Sequence, residues 1–278
     1  MMNLNSIKEV KQPRAAGELD HWRDGDAWLA GGTWLFSEPQ FATDTLIDLQ
    51  HLGWPALQQA PDGLEISATC TIAELCHFSA PADWTAAGMF EECSNALLAS
   101  FKIWNAATVG GNICMSLPAG AMIALTVALE ASYTLWPRGA PARAVAAVDF
   151  VTGDHANVLQ PGELLRSIHL PATALAKRHA VRRAALTRFG RSAALIIGTR
   201  DKAARGLLLT ITAATPRPVQ LRFDGQPSSQ ELREALDERI PIDGFFGDVH
   251  GSAAYKRHLT HHFSEEIRRE LDGSEVAA

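Results

Sequence analysis

The chain has 278 residues, 47% of them hydrophobic and 20% charged, and a net charge of −6. That composition reads as a soluble globular protein with a sizeable core, and the acidic balance argues against a nucleic-acid partner. Apolar runs such as "AMIALTVALEA" fall far short of the roughly 20 residues that span a bilayer, and the opening "MMNLNSIKEVKQPR" has no apolar signal core, so a cytoplasmic location is expected.

In chain order, "GELDHWRDG" reads as a short amphipathic segment and "AWLA" as a buried strand running into Gly31 and Gly32. "DTLIDL" reads as a second strand, and the alternation predicts a small parallel strand–helix–strand unit. In "LEISATCTIAELCHF" the period-two pattern of Leu64, Ile66 and Ala68 gives way to a helix. Thr71 is its expected cap, with Glu74 at capping-box distance. "EECSNALLAS" reads as helix, "PAGAMIALTVALEASYTLW" as a core helix followed by a strand, and "PGELLRSIHLP" as a turn and a strand ending at Pro171. Beyond it, "HAVRRAALTRFGRSAALIIGTRD" and "RGLLLTITAATPRPVQLRF" fit either consecutive strands or a helix-and-strand pair. Ser228 and Glu231 mark a helix start before the stripe Leu232, Ala235, Leu236 and Ile240. "SAAYKRHLTHHFSEEIRREL" predicts a second amphipathic helix.

Two segments carry paired glycines with a neighbouring threonine: "WLAGGTWL" and "ATVGGN". Without a Cβ, such a loop lets backbone N–H groups approach a phosphate, and two loops supply donors from different directions. Each pair taken alone is weak evidence and reads first as an ordinary turn. Neither is a P-loop, and neither is the dinucleotide fingerprint that opens a Rossmann helix.

Together with "TLIDLQHLGWPAL", "GLEISATCTIAEL", "PGELLRSIHLP", "ATPRPVQL" and "SAAYKRHL", in this order, the chain resembles the flavin subunit of molybdenum hydroxylases of the xanthine dehydrogenase and carbon monoxide dehydrogenase type, over about residues 10–270. The resemblance implies an α+β fold: an FAD-binding domain of the vanillyl-alcohol oxidase type over residues 1–171, in lobes of about 1–55 and 56–171. A smaller α+β domain, 172–278, would cover the flavin. It places Leu29, Ala30, Gly31, Gly32, Thr33 and Trp34 in a first diphosphate loop. Ala107, Thr108, Val109, Gly110, Gly111 and Asn112 would form a second, and Arg191 a basic contact near the flavin. Two departures stand out: Trp34 replaces the family's usual Ser or Asp, and Ala121 lies where an Asp often contacts the nucleotide. FAD would be held non-covalently, since neither His nor Cys occurs between Leu29 and Phe36.

The implied function is electron transfer: from a [2Fe-2S] small subunit, itself served by a molybdopterin large subunit, through FAD to NAD, oxygen or another acceptor. The alternatives are a flavin-free assembly subunit of the same fold and a self-contained flavin oxidase. Cys70, Cys76, Cys93 and Cys114 show no cluster-ligand spacing and read as reduced thiols, so the clusters would belong to the partner. His258, His261 and His262 read as surface residues of the last helix rather than metal ligands. The basic stretch "KRHAVRRAALTRFGR" reads as a solvated strand face or a subunit contact. No nucleophile elbow and no paired carboxylates mark a hydrolytic or acid–base centre.

Overall fold

The computed structural model describes residues 5–273 apart from 98, 189 and 203–205. A three-stranded parallel sheet comes first: β1 (Glu9–Lys11), β2 (Asp26–Leu29) and β3 (Thr45–Asp48), with β3 central. The predicted parallel pair is present, but the expected helix between β2 and β3 is not; the chain crosses through turns. Gly32 at φ +70 and Pro39 in the connection account for this, because neither continues a helix. β1 escaped the sequence reading, being three residues long with two of them exposed.

A five-stranded antiparallel sheet in the order β4-β5-β10-β6-β7 follows. Its members are β4 (Leu57–Ala60), β5 (Gly63–Ser67), β6 (Ser132–Trp136), β7 (Arg143–Ala146) and β10 (Leu164–Pro171). A small hairpin, β8 (Val151–Gly153) and β9 (Ala156–Asn157), leaves the body of this sheet. Helices α1 (Ile72–Cys76), α2 (Met89–Ala96), α3 (Phe101–Trp104), α4 (Val109–Cys114), α5 (Ala121–Ala128) and α6 (Ala147–Phe150) lie within the same stretch. The capping box of α1 forms as read: the Glu74 N–H donates to Thr71 Oγ1 at 3.1 Å and the Thr71 N–H to the Glu74 carboxylate at 2.8 Å. All eight residues of α5 are buried, so this helix is apolar all round and forms the centre of the main core.

After α7 (Ala172–Leu175), four antiparallel strands follow in sequence: β11 (Arg178–Ala185), β12 (Ser192–Arg200), β13 (Leu207–Thr212) and β14 (Val219–Phe223). This settles the helix-or-strand alternative in favour of strands. β13 is buried at every position, and β12 at all but Arg200, because the sheet is covered on both faces. Leu195 and Ile197 face the main core with α5, whereas Ala194 and Ile196 face a second core closed by α8 (Ser229–Arg239) and α9 (Ala253–Asp272). α8 is capped by Ser228 and Glu231 as the sequence predicts.

The basic stretch is partly neutralised within the chain. Arg182 pairs with Glu266 (2.7 Å) and Glu270 (2.5 Å) of α9, and Lys177 with Glu130. His258 and His262 stack on each other along α9, ring centroids 6.1 Å apart. No helix among the described residues is long and apolar enough to cross a membrane.

Candidate functional site

A cleft of about 450 Å³ opens between the loop after β2 and the segment that enters α4. Leu29, Ala30, Gly31, Gly32, Thr33 and Trp34 all line it, joined by Ala107, Thr108, Gly111, Asn112 and Arg191. The structure therefore gathers eleven of the thirteen residues named from sequence. Val109 and Gly110 are the exceptions: both are buried away from the cleft, Gly110 against Ala68.

The two loops touch. A Cβ on Gly31 would sit 1.9 Å from the Ala106 carbonyl oxygen, so only glycine lets the first loop lie against the backbone leading into the second. Gly32 adopts φ +70 and directs the chain away again, its carbonyl accepting from the Phe36 N–H at 2.8 Å. Between them these two residues set the loop so that the N–H groups of Gly31, Gly32, Thr33, Trp34 and Leu35 donate to no protein group among the described residues. A row of unspent amides lining a cleft is chemically suited to an anion.

The second segment behaves differently from expectation. From Val109 to Asn112 its N–H groups are spent inside the protein: Val109 to Cys70 O (2.8 Å), Gly110 to Ala68 O (3.1 Å), Gly111 to Thr108 Oγ1 (3.0 Å) and Asn112 to Thr108 O (3.0 Å), which leaves the Thr108 N–H without an acceptor among the described residues. It is therefore not a second row of backbone donors, having at most the Thr108 N–H to offer. Instead α4 presents Gly111, Asn112 and Met115 together with its cap Thr108 as a smooth wall. Asn112 Oδ1 accepts from the Met122 N–H at 3.0 Å, which fixes the start of α5 to this wall. Ala121 is fully buried there and offers nothing to a ligand.

Sequence reasoning missed further lining residues, among them Trp28, Leu35, Ile103, Cys114, Met115, Leu117 and Gly120. Helical spacing carried part of that signal: Thr108, Gly111, Asn112 and Met115 fall at i, i+3, i+4 and i+7, one face of α4. Val109, Gly110 and Ile113 fall on the opposite, buried face. Arg191 brings the positive charge of the lining and makes no ion pair or hydrogen bond among the described residues. Cys114 is the lining thiol, and burial pushes its pKa up to about 12, so it stays protonated and unreactive at neutral pH.

The comparisons give the family and the fold. A family model described as the FAD-binding domain in molybdopterin dehydrogenase matches residues 10–173, and the chain belongs to that family. Among solved structures, quinoline 2-oxidoreductase from Pseudomonas putida 86 superposes with a TM-score of 0.79 at 17% identity, over 98% of this chain and 99% of that one. Carbon monoxide dehydrogenase from Hydrogenophaga pseudoflava gives 0.79 at 21% identity, over 95% of each chain. The carbon monoxide dehydrogenase of Oligotropha carboxidovorans gives 0.76 at 21%, over 94% and 96%. No curated protein matched the chain. At these identities the structures establish a shared α+β fold. The residues present also fit FAD: free amides for a diphosphate, a glycine wall for close approach, a lone lining cation and an otherwise apolar cleft.

Proposed function

We propose that the chain is the FAD-carrying subunit of a multi-subunit oxidoreductase of the molybdenum hydroxylase type. The observation that carries this reading is the run of unspent amides from Gly31 to Leu35, opening into a cleft that the glycine face of α4 completes. In it, the first loop holds the diphosphate through backbone donors, while Gly111 leaves room for it and Thr108 and Asn112 keep that wall in place. Arg191 supplies positive charge to an anionic part of the cofactor. FAD, when bound, supplies the chemistry of accepting and passing on electrons singly or in pairs. With neither His nor Cys between Leu29 and Phe36, it is held non-covalently.

Electrons would arrive from a [2Fe-2S] subunit whose own source is a molybdopterin subunit, and leave to NAD, oxygen or another acceptor. The named neighbours, a quinoline oxidoreductase and carbon monoxide dehydrogenases, support that assignment of partners. In the same reading, residues 1–171 bind the dinucleotide and residues 172–278 cover the flavin, Arg191 being the contribution of the second part. Nothing in the cleft favours a flavin-free scaffold, which has no need of free amides.

The test is direct. The purified chain should show the visible absorbance of oxidised flavin, and acid precipitation should release all of it as FAD by mass. It should copurify with cluster-bearing and molybdenum-bearing partners, and alone it should hydroxylate no purine, aldehyde or N-heterocycle. A colourless protein that binds no added FAD, or hydroxylation by the isolated chain, overturns the reading.

A further inference from the structure

The cleft carries two indoles, Trp28 and Trp34, and they are held differently. Trp28 is locked: it lies in β2, its Nε1–H donates to Glu163 O at 3.2 Å, and its ring packs on Trp22 at 4.7 Å. Trp34 lies within the run of unspent amides, and its Nε1–H makes no hydrogen bond among the described residues. Its ring packs against that of His155, tilted by 50° with the centroids 6.0 Å apart. His155 is itself fixed at the tip of the β8–β9 hairpin. It sits at φ +54, its N–H donates to Ser116 O at 3.0 Å and its Nδ1 lies 2.8 Å from Asp154 Oδ1. Asn157 of the same hairpin donates to Cys114 O and Ser116 Oγ at 3.0 Å, which ties the brace to the end of α4.

We propose that Trp34 is the stacking platform for a purine base, the adenine of the dinucleotide; the proposal rests on reading the cleft as an FAD site. A dinucleotide brings two ring systems of unlike chemistry. The flavin gains negative charge on reduction and suits a neighbouring cation, and the lining cation, Arg191, reaches the cleft from the four-stranded sheet. Adenine stays neutral, needs a π face rather than a charge, and stacks on any aromatic plane next to its phosphates. Trp34 is such a plane: neutral, braced, and carried on the same run of residues as the diphosphate donors. The indole thereby makes the site select a dinucleotide over a flavin mononucleotide.

The experiment titrates the deflavinated full-length chain with FAD, FMN and ADP. In the wild type, FAD should bind and ADP should compete with it. Trp34→Ala should weaken FAD and ADP by about tenfold or more, leave FMN unchanged, and keep the far-UV circular dichroism of the wild type. Trp34→Phe, which keeps a π face, should stay within about threefold for all three ligands. Should the alanine variant not fold, Trp34→Leu replaces it, keeping bulk without the aromatic plane. Unchanged FAD and ADP affinity in the variant, or an equal loss for FAD and FMN, overturns the proposal and, in the second case, puts the flavin against the indole. A wild type that binds no FAD fails the reading of the cleft itself, a separate result.

Discussion

The two glycine pairs look alike as strings and work in opposite ways. In the first, Gly31 is pressed onto the Ala106 carbonyl and Gly32 turns at positive φ, and the amides that follow stay free. In the second, the amides from Val109 to Asn112 are consumed by Cys70, Ala68 and Thr108, and the glycines serve packing and clearance. One segment offers donors; the other offers an absence of side chains. A glycine pair is therefore defined by where its N–H groups go, and that accounting exists only in three dimensions.

The difference can be broken at its strongest point first. Gly31→Ala places a methyl 1.9 Å from a backbone oxygen, which no rotamer relieves, so the first loop must leave the second. FAD should be lost outright, with a stability cost of about 1–3 kcal/mol visible in thermal unfolding. An alanine variant that still retains FAD would mean that contact between the loops is irrelevant to the cleft.

Gly111→Val acts on the other loop with less collateral damage. Gly111 has ordinary helical geometry, and an added Cβ meets only Thr108 Oγ1, at 2.8 Å. The branched side chain then projects along a cleft wall. FAD affinity should fall about tenfold or more, a loss of roughly 1.4 kcal/mol per decade, while circular dichroism stays that of the wild type. Full flavin loading would show that this face of α4 does not meet the cofactor.

Much of this molecule was legible before the fold was known, and the boundary of legibility is physical. Local rules identified what local interactions decide: the caps at Thr71 and Ser228, the buried α5 and strands β2, β3, β5 and β10. The helix expected between β2 and β3 failed because the resemblance of alternating segments to a strand–helix–strand unit outweighed Gly32 and Pro39 in the connection. Strands β12 and β13 stayed ambiguous because residues buried on both faces show no period of two until α5 and α9 are placed on opposite sides. At the site, the motif located both walls. It did not show that Val109 and Gly110 turn inward, since that depends on Cys70 and Ala68, some forty residues earlier in the chain.

The sharpest separation of the two roles comes from Gly110, where the smallest effect on the cofactor is expected. Its Cβ would lie 2.6 Å from the Ala68 Cβ and 2.7 Å from the Ala68 Cα and carbonyl oxygen, in a part of the core with no free volume. Gly110→Ala must therefore push α4 away from the end of β5, at a cost of about 1–3 kcal/mol, and strain the Gly110 N–H bond to Ala68 O. Gly110 does not line the cleft, and Thr108, Gly111 and Asn112 do. The folded fraction should bind FAD within about threefold of the wild type, a difference under 1 kcal/mol, while the unfolding midpoint drops. Calorimetry and flavin titration on the same preparation read the two quantities apart. Loss of FAD with an unchanged midpoint would invert the assignment and make Gly110, rather than Gly111, the residue that the diphosphate approaches.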